Sequence, residues 1–245
     1  MKKWSSEYSK VLLRLFLPIL LLQGYLVRRK VIELPEAKGQ RHGKFGYGDA
    51  LSILFVGDSA ACGVGVDRLE DSLSGCLLEQ IGNKYCCSWS IVAKSAITTS
   101  ALIELTKSQA DNHFQAAVIS IGINDIKSGK HVETWLNEIS EFRSLLVQKF
   151  GVEKLIFSGF PPVRHLRQVP NPLLYLLSLK AAIFGKVLKD FCKEHSDCYF
   201  VDIDLPVNAQ TIAHDGFHPN QVFYAAWAAR VSDLFLDKSG RDKHF

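Results

Sequence analysis

The sequence has no cysteine pair at zinc spacing, no uninterrupted apolar run of comfortable membrane length, no internal repeat and no dinucleotide-type glycine fingerprint. Each absence removes a class. The six cysteines, at 62, 76, 86, 87, 192 and 198, form no C-x-x-C and no ligand-spaced Cys/His pair, so a zinc module is excluded. A chain of 245 residues can bury a core without staples, so these cysteines read as reduced, mostly buried thiols. Without a repeat of about 20–50 residues the chain is not a solenoid. Gly63-Val64-Gly65 has Arg68 where the third glycine of a dinucleotide fingerprint would fall, and no cofactor is expected. Excess positive charge is also missing from most of the chain. The formal charge is +4, but residues 1–48 hold ten Lys/Arg against three acids, leaving 19 basic and 22 acidic residues in the rest. The body therefore has no electrostatic case for binding nucleic acid.

The basic N-terminal segment surrounds an apolar stretch, VLLRLFLPILLLQGYLV, at residues 11–27. It lies at the short limit of a membrane span, about 17 residues, and Arg14, Pro18 and Gln23 interrupt it. Arg28-Arg29-Lys30 follows where a signal peptide would place a small-x-small cleavage site, so cleavage is not expected. Three readings stay open for residues 1–30: an uncleaved anchor, an interfacial helix, or a helix packed on the domain. Membrane contact through residues 11–27 is the expectation. The heavier basic flank on the C-terminal side places the body on the cytoplasmic side, with the periplasmic face as the alternative. Residues 31–48, rich in glycine and charge, read as a linker to a domain spanning 49–245.

From residue 49 short apolar runs alternate with helical periodicity. Strands are predicted at 51–56, 85–92, 116–121, 154–158 and 198–203. Helices are predicted at 70–81, 101–110, 132–150, 174–195 and 220–236. Short buried strands in this alternation predict an α/β fold, a doubly wound parallel sheet with helices on both faces. In such sheets ligands sit beyond the carboxyl ends of the strands. Gly57-Asp58-Ser59 follows the first strand and Gly122-Ile123-Asn124-Asp125 the third. Asp215-Gly216-Phe217-His218-Pro219 precedes the last helix. These are the parts of a nucleophilic hydrolase. A serine hydroxyl needs an adjacent base to attack. His218 would supply it, Asp215 would orient the imidazole, and Asn124 would donate to an oxyanion.

Together these segments resemble the SGNH hydrolase superfamily, the GDSL-type esterases and lipases, in a bacterial single-domain form. FVGDSAACGVGV is similar to its first block, VISIGINDI to the third and HDGFHPNQVFYAAWA to the fifth. SGFPPVRHLRQVPNPL also resembles a bacterial subgroup, and the likeness runs over residues 49–236. The resemblance implies a three-layer α/β/α sandwich with a five-stranded sheet in flavodoxin-like order. It implies Ser59, Asp215 and His218 as catalytic residues, with Ser59, Ala96 and Asn124 forming the oxyanion hole. Ala96 stands where the family's second block usually has glycine. A backbone N–H can still come from alanine, at the cost of strain if φ is positive.

The implied activity is metal-independent hydrolysis of carboxylic esters, on a small-molecule or lipid ester such as a lysophospholipid. A carbohydrate O-acetyl esterase and a non-catalytic lipid- or glycan-binding relative are the alternatives. A flavodoxin-like cofactor binder is the rival from another class. Arg164 and His165 lie in a loop near the expected site and are candidate substrate contacts. Plainer readings accompany each residue. Ser59 could cap the first helix and Asn124 could serve a turn. Asp58 and Asp125 read as structural. His214 competes with His218 as the partner of Asp215.

Overall fold

The computed structural model describes residues 2–30, 32–166 and 168–236, with side chains from residue 16 onward. The final residues of the expected domain, 237–245, lie outside the described residues. The chain opens with α1 (Lys2–Lys30) and a short edge strand, β1 (His42–Phe45). The body then runs β2 (Asp49–Gly57), α2 (Leu73–Ile81), β3 (Tyr85–Ala93), α3 (Thr99–Lys107) and β4 (Ala116–Ser120). It continues with α4 (Ile123–Lys127), α5 (Val132–Phe150), β5 (Lys154–Ser158), α6 (Leu173–Glu194), β6 (Cys198–Val201) and α7 (Gln221–Leu236).

The sheet has the order β1-β3-β2-β4-β5-β6. The five strands from β2 onward are parallel and in flavodoxin-like order; β1 pairs antiparallel with β3, His42 opposite Ser90. The apolar runs are continuous because both faces of the sheet are covered. Ile53 and Phe55 of β2, Ala116 and Val118 of β4, and Ile156 of β5 face a core shared with α2 and α7. Leu54, Val56, Ala117, Ile119, Leu155 and Phe157 face a second core shared with α3, α5 and α6. The helices obey their own period. Trp135, Ile139, Phe142, Leu146 and Phe150 form the buried stripe of α5, which ends at Gly151 in the left-handed conformation. Removing one such aromatic would cost about 3–5 kcal/mol.

The stretch expected to be a linker turns out to hold structure. HGKF is polar and mostly exposed, so its strand carries no alternating hydrophobic signal. Its backbone pairing with β3 makes it a strand. Upstream, Ala37 N donates to Cys62 O, and Lys38 N to Asp67 O. This strap therefore lies along the turn that follows β2.

Among the described residues no helix is long and apolar enough to cross a membrane. The described part of α1 packs on α6, and Gln23 holds it there. Its amide donates to Asn171 O (2.7 Å) and accepts from Leu173 N (3.1 Å). All six cysteines are free thiols, five of them buried. Burial pushes the Cys62 and Cys198 thiols up to about 12 and those of Cys76 and Cys87 up to about 11.

Candidate active site

Ser59, Ala96 and Asn124 follow the carboxyl ends of the adjacent strands β2, β3 and β4. The chain leaves β2 toward β3 on one side and returns to β4 on the other, so Ser59 sits where the winding direction switches. Ser59 caps no helix. It lies in a turn well before α2, whose N-cap is Ser72. Ser59 O accepts from Val64 N (2.9 Å), and Asp58 O accepts from Cys62 N (3.1 Å). Tyr224 OH, from α7, donates to Val64 O (2.8 Å) and ties the same turn to the helix that follows His218.

The loop before α7 brings His218 to the serine. Ser59 Oγ and His218 Nε2 are 3.1 Å apart, and His218 Nδ1 lies 2.5 Å from Asp215 Oδ2. The other oxygen, Asp215 Oδ1, accepts from Phe217 N (3.0 Å) and His218 N (3.1 Å). Burial alone would raise the Asp215 carboxyl. The bonds from the His218 ring and the Phe217 and His218 amides outweigh it and hold the group below its ordinary value. Gly65 makes this approach possible, since a Cβ there would stand 2.0 Å from Pro219 O. His214, the competing partner, is exposed beside the loop.

The opposite wall is the 94–98 loop with the start of α4. Asn124 is buried, and its Nδ2 donates one hydrogen to Ile97 O (3.0 Å), leaving the second for another acceptor. Ala96 has φ +60°, a left-handed conformation that alanine rarely takes. Among the described residues neither the Ser59 nor the Ala96 amide meets a protein acceptor.

Two carboxylates outside the Asp215–His218–Ser59 line hold this wall. Asp125, fully buried, accepts from Thr99 N (3.0 Å) and Thr99 Oγ1 (2.8 Å), and pairs with Lys130 (2.6 Å). Trp135 Nε1 donates to the same threonine hydroxyl (2.9 Å). Glu36, from the strap, accepts from Ser95 N (2.9 Å) and pairs with Arg41 (2.5 Å), whose guanidinium also donates to Ala93 O (2.9 Å). Burial raises the Glu36 carboxyl, but bonds from Ser95 and Cys62 and the Arg41 charge leave it below its ordinary value. No local pattern flags Glu36, because its partner is 59 residues away.

Asp58 lies under the serine turn. Burial pushes its carboxyl up to about 6, against the pull of the Ala60 amide it accepts (3.2 Å). Arg164 and His165 are exposed. Arg164 bonds to His165 (3.1 Å) and reaches Asp204 (3.5 Å), and among the described residues neither is hydrogen-bonded to Ser59, Asp215 or His218. A concavity of about 500 Å³ lined by His42, Ser52, Trp89 and His113 opens at the amino ends of the strands, away from Ser59. Among the described residues no three His, Cys, Asp or Glu side chains cluster as a metal site.

Comparison with known proteins shows the family. Residues 55–226, more than half of the chain, match the model of the GDSL-like Lipase/Acylhydrolase family. The chain belongs to that family. As a GDSL-like protein it is an ester-bond hydrolase. Similar solved structures include TesA, at 17% identity and TM-score 0.59, covering 76% of this chain and 98% of that one. A lipolytic G-D-S-L family member from Veillonella parvula is 16% identical, with TM-score 0.57 and coverages of 76% and 97%. A carbohydrate acetylesterase family member from Sinorhizobium meliloti is 18% identical, with TM-score 0.56 and coverages of 76% and 97%. At these identities the structural likeness is one of fold. No curated protein matches the sequence.

Proposed function

We propose that this GDSL-like hydrolase is a serine esterase in which Ser59 is the nucleophile, His218 the general base and Asp215 the residue that orients it. The observation that carries this reading is the unbroken hydrogen-bonded line from Asp215 through His218 to Ser59. Ser59 Oγ attacks the ester carbonyl carbon as its proton passes to His218 Nε2. Asp215 keeps the other ring nitrogen protonated and stabilises the imidazolium. The carbonyl oxygen gains negative charge and accepts from the Ser59 and Ala96 amides and the second Asn124 Nδ2 hydrogen. His218 then gives its proton to the departing alcohol oxygen, leaving an acyl-serine. Water, deprotonated by His218, attacks that ester, and the acid leaves as Ser59 recovers its proton.

The substrate we favour is a lipid ester, of the lysophospholipid kind, because a large apolar surface stands exposed on α1 and α6. An O-acetyl group on a sugar is the rival within the same chemistry, as the carbohydrate acetylesterase relative suggests. Ser59→Ala should abolish hydrolysis of p-nitrophenyl esters and labelling by a fluorophosphonate probe. Near-wild-type turnover in that variant would overturn the mechanism. A panel of esters of increasing acyl length separates the two substrates, since a sugar deacetylase should lose activity beyond acetyl.

A further inference from the structure

Among its described side chains, from residue 16 onward, helix α1 turns a narrow stripe toward the body. Leu20, Gln23, Gly24 and Val27 are buried or half-buried, at the i, i+3, i+4, i+7 spacing of one helix face. Around the rest of the helix Phe16, Leu17, Ile19, Leu21, Leu22, Tyr25 and Leu26 are exposed, each by 45% or more. Helix α6 repeats the feature over its first three turns, with Tyr175, Leu179 and Ile183 exposed at i, i+4, i+8. Its outer face then turns charged, with Lys186 paired to Asp190. Gln23 joins α1 to the first turn of α6, so the apolar part of α6 is the part nearest that junction.

We propose that the exposed faces of α1 and of the first three turns of α6 form one docking surface for an anionic lipid bilayer. The apolar circumference of α1 argues for lipid over a protein partner. A neighbouring helix or a groove covers one stripe, whereas acyl chains can meet residues all around. Arg28, Arg29 and Lys30 lie together at one end of the apolar stretch, at the level where lipid phosphates would be met. Tyr25 and Tyr175 each put an amphipathic ring on this surface, and the Arg29 guanidinium sits 5.0 Å over the Tyr25 ring.

The surface also reaches the active edge. The segment from Gln168 to Leu173 connects them: its end bonds Gln23, while Gln168 lies so close to Gly216 that a Cβ there would stand 2.2 Å from the Gln168 amide nitrogen. Gly216 directly follows Asp215. A docked molecule would therefore hold the Ser59 edge at the lipid surface. Lipid docking stands apart from the catalytic reading, while delivery of lipid esters rests on it.

The test is co-sedimentation of the full chain with vesicles of phosphatidylcholine, pure or mixed with phosphatidylserine. Binding should be tighter to the mixed vesicles and weaken with salt. The double variant Leu179→Glu, Ile183→Glu should lose binding about tenfold or more while hydrolysing soluble p-nitrophenyl acetate at the wild-type rate. Replacing Arg28, Arg29 and Lys30 by glutamine should erase the preference for phosphatidylserine. Wild-type binding by the α6 variant, or no binding by the native chain, would overturn the proposal. So would a self-associated chain that the α6 substitutions dissociate, since the surface would then cover a second copy. Ser59→Ala should bind vesicles normally, so a failure of the esterase reading would be seen separately, as turnover surviving in that variant.

Discussion

The two walls that meet at Ser59 are held in opposite ways. The 213–218 loop is built from its own neighbours. Asp215 accepts from Phe217 N and His218 N, Ala213 N donates to His218 O, and Gly216 N to Ala213 O, all within six residues. The wall formed by the 94–98 loop is held from a distance. Its bonds to Glu36, Asp125 and Asn124 cross 59, 26 and 27 residues respectively. A locally closed loop can preserve its geometry whatever surrounds it. A wall tied at long range is only as exact as the fold that brings its ties together.

The largest effect should come from breaking the local side. Asp215→Asn should reduce kcat about 10⁴-fold in steady-state assays, because the imidazole loses its orienting charge and tautomer. Thermal stability should change far less. On the distant side, Asn124→Ala should lower kcat about 10²–10³-fold with little change in KM, as expected for a donor used mainly in the transition state.

Asp58 offers a pH test of the scaffold under the serine. Its carboxyl titrates near 6 in the fold against an ordinary value of 3.8, a raised acid whose ionised form disfavours the folded state. That cost is absent below about pH 4, grows through the interval and is complete above about pH 6. Asp58→Asn keeps an acceptor for the Ala60 amide. It should stabilise the protein by up to about 3 kcal/mol at pH 8 and by nearly nothing at pH 4, measured by urea unfolding. Equal gains at both pH values would contradict the assignment.

Smaller effects probe the ties themselves. Glu36→Ala should lower kcat about tenfold by releasing the Ser95 amide beside Ala96. Glu36→Gln should recover most of that loss, since its carbonyl can still accept from Ser95. If both variants behaved alike, the charge shared with Arg41 would be the controlling feature. Ala96→Gly should raise stability by about 1 kcal/mol, because glycine adopts φ +60° without steric strain. No gain in the unfolding midpoint would mean the loop bears no strain there.

Legibility in the sequence follows the same division. The strands β2 to β6 announced themselves because a doubly covered sheet demands continuous apolar runs, and α5 and β5 match their expected limits residue for residue. Ser59, Asn124, Asp215 and His218 stood out because each lies at a strand or helix boundary in a short motif. The strand β1 was invisible, since HGKF is polar and its evidence is a backbone pairing with β3. Glu36, Arg41 and Thr99 were invisible as contributors because nothing in their own neighbourhoods encodes their partners. Arg164 and His165 are candidates because their loop is expected near the site, and both are exposed.

By itself, then, the sequence determined the α/β winding and set four polar residues, Ser59, Asn124, Asp215 and His218, in short motifs at element boundaries. Those features rest on hydrophobic period and local hydrogen bonding, which act between neighbours. Tertiary structure decided that the expected linker is a strap on the 94–98 loop, that Ala96 takes a left-handed backbone, and that α1 lies on α6 with most of the apolar surface of residues 16–27 uncovered. Each of these depends on which distant backbone groups come within hydrogen-bonding reach, and only the packed chain specifies that.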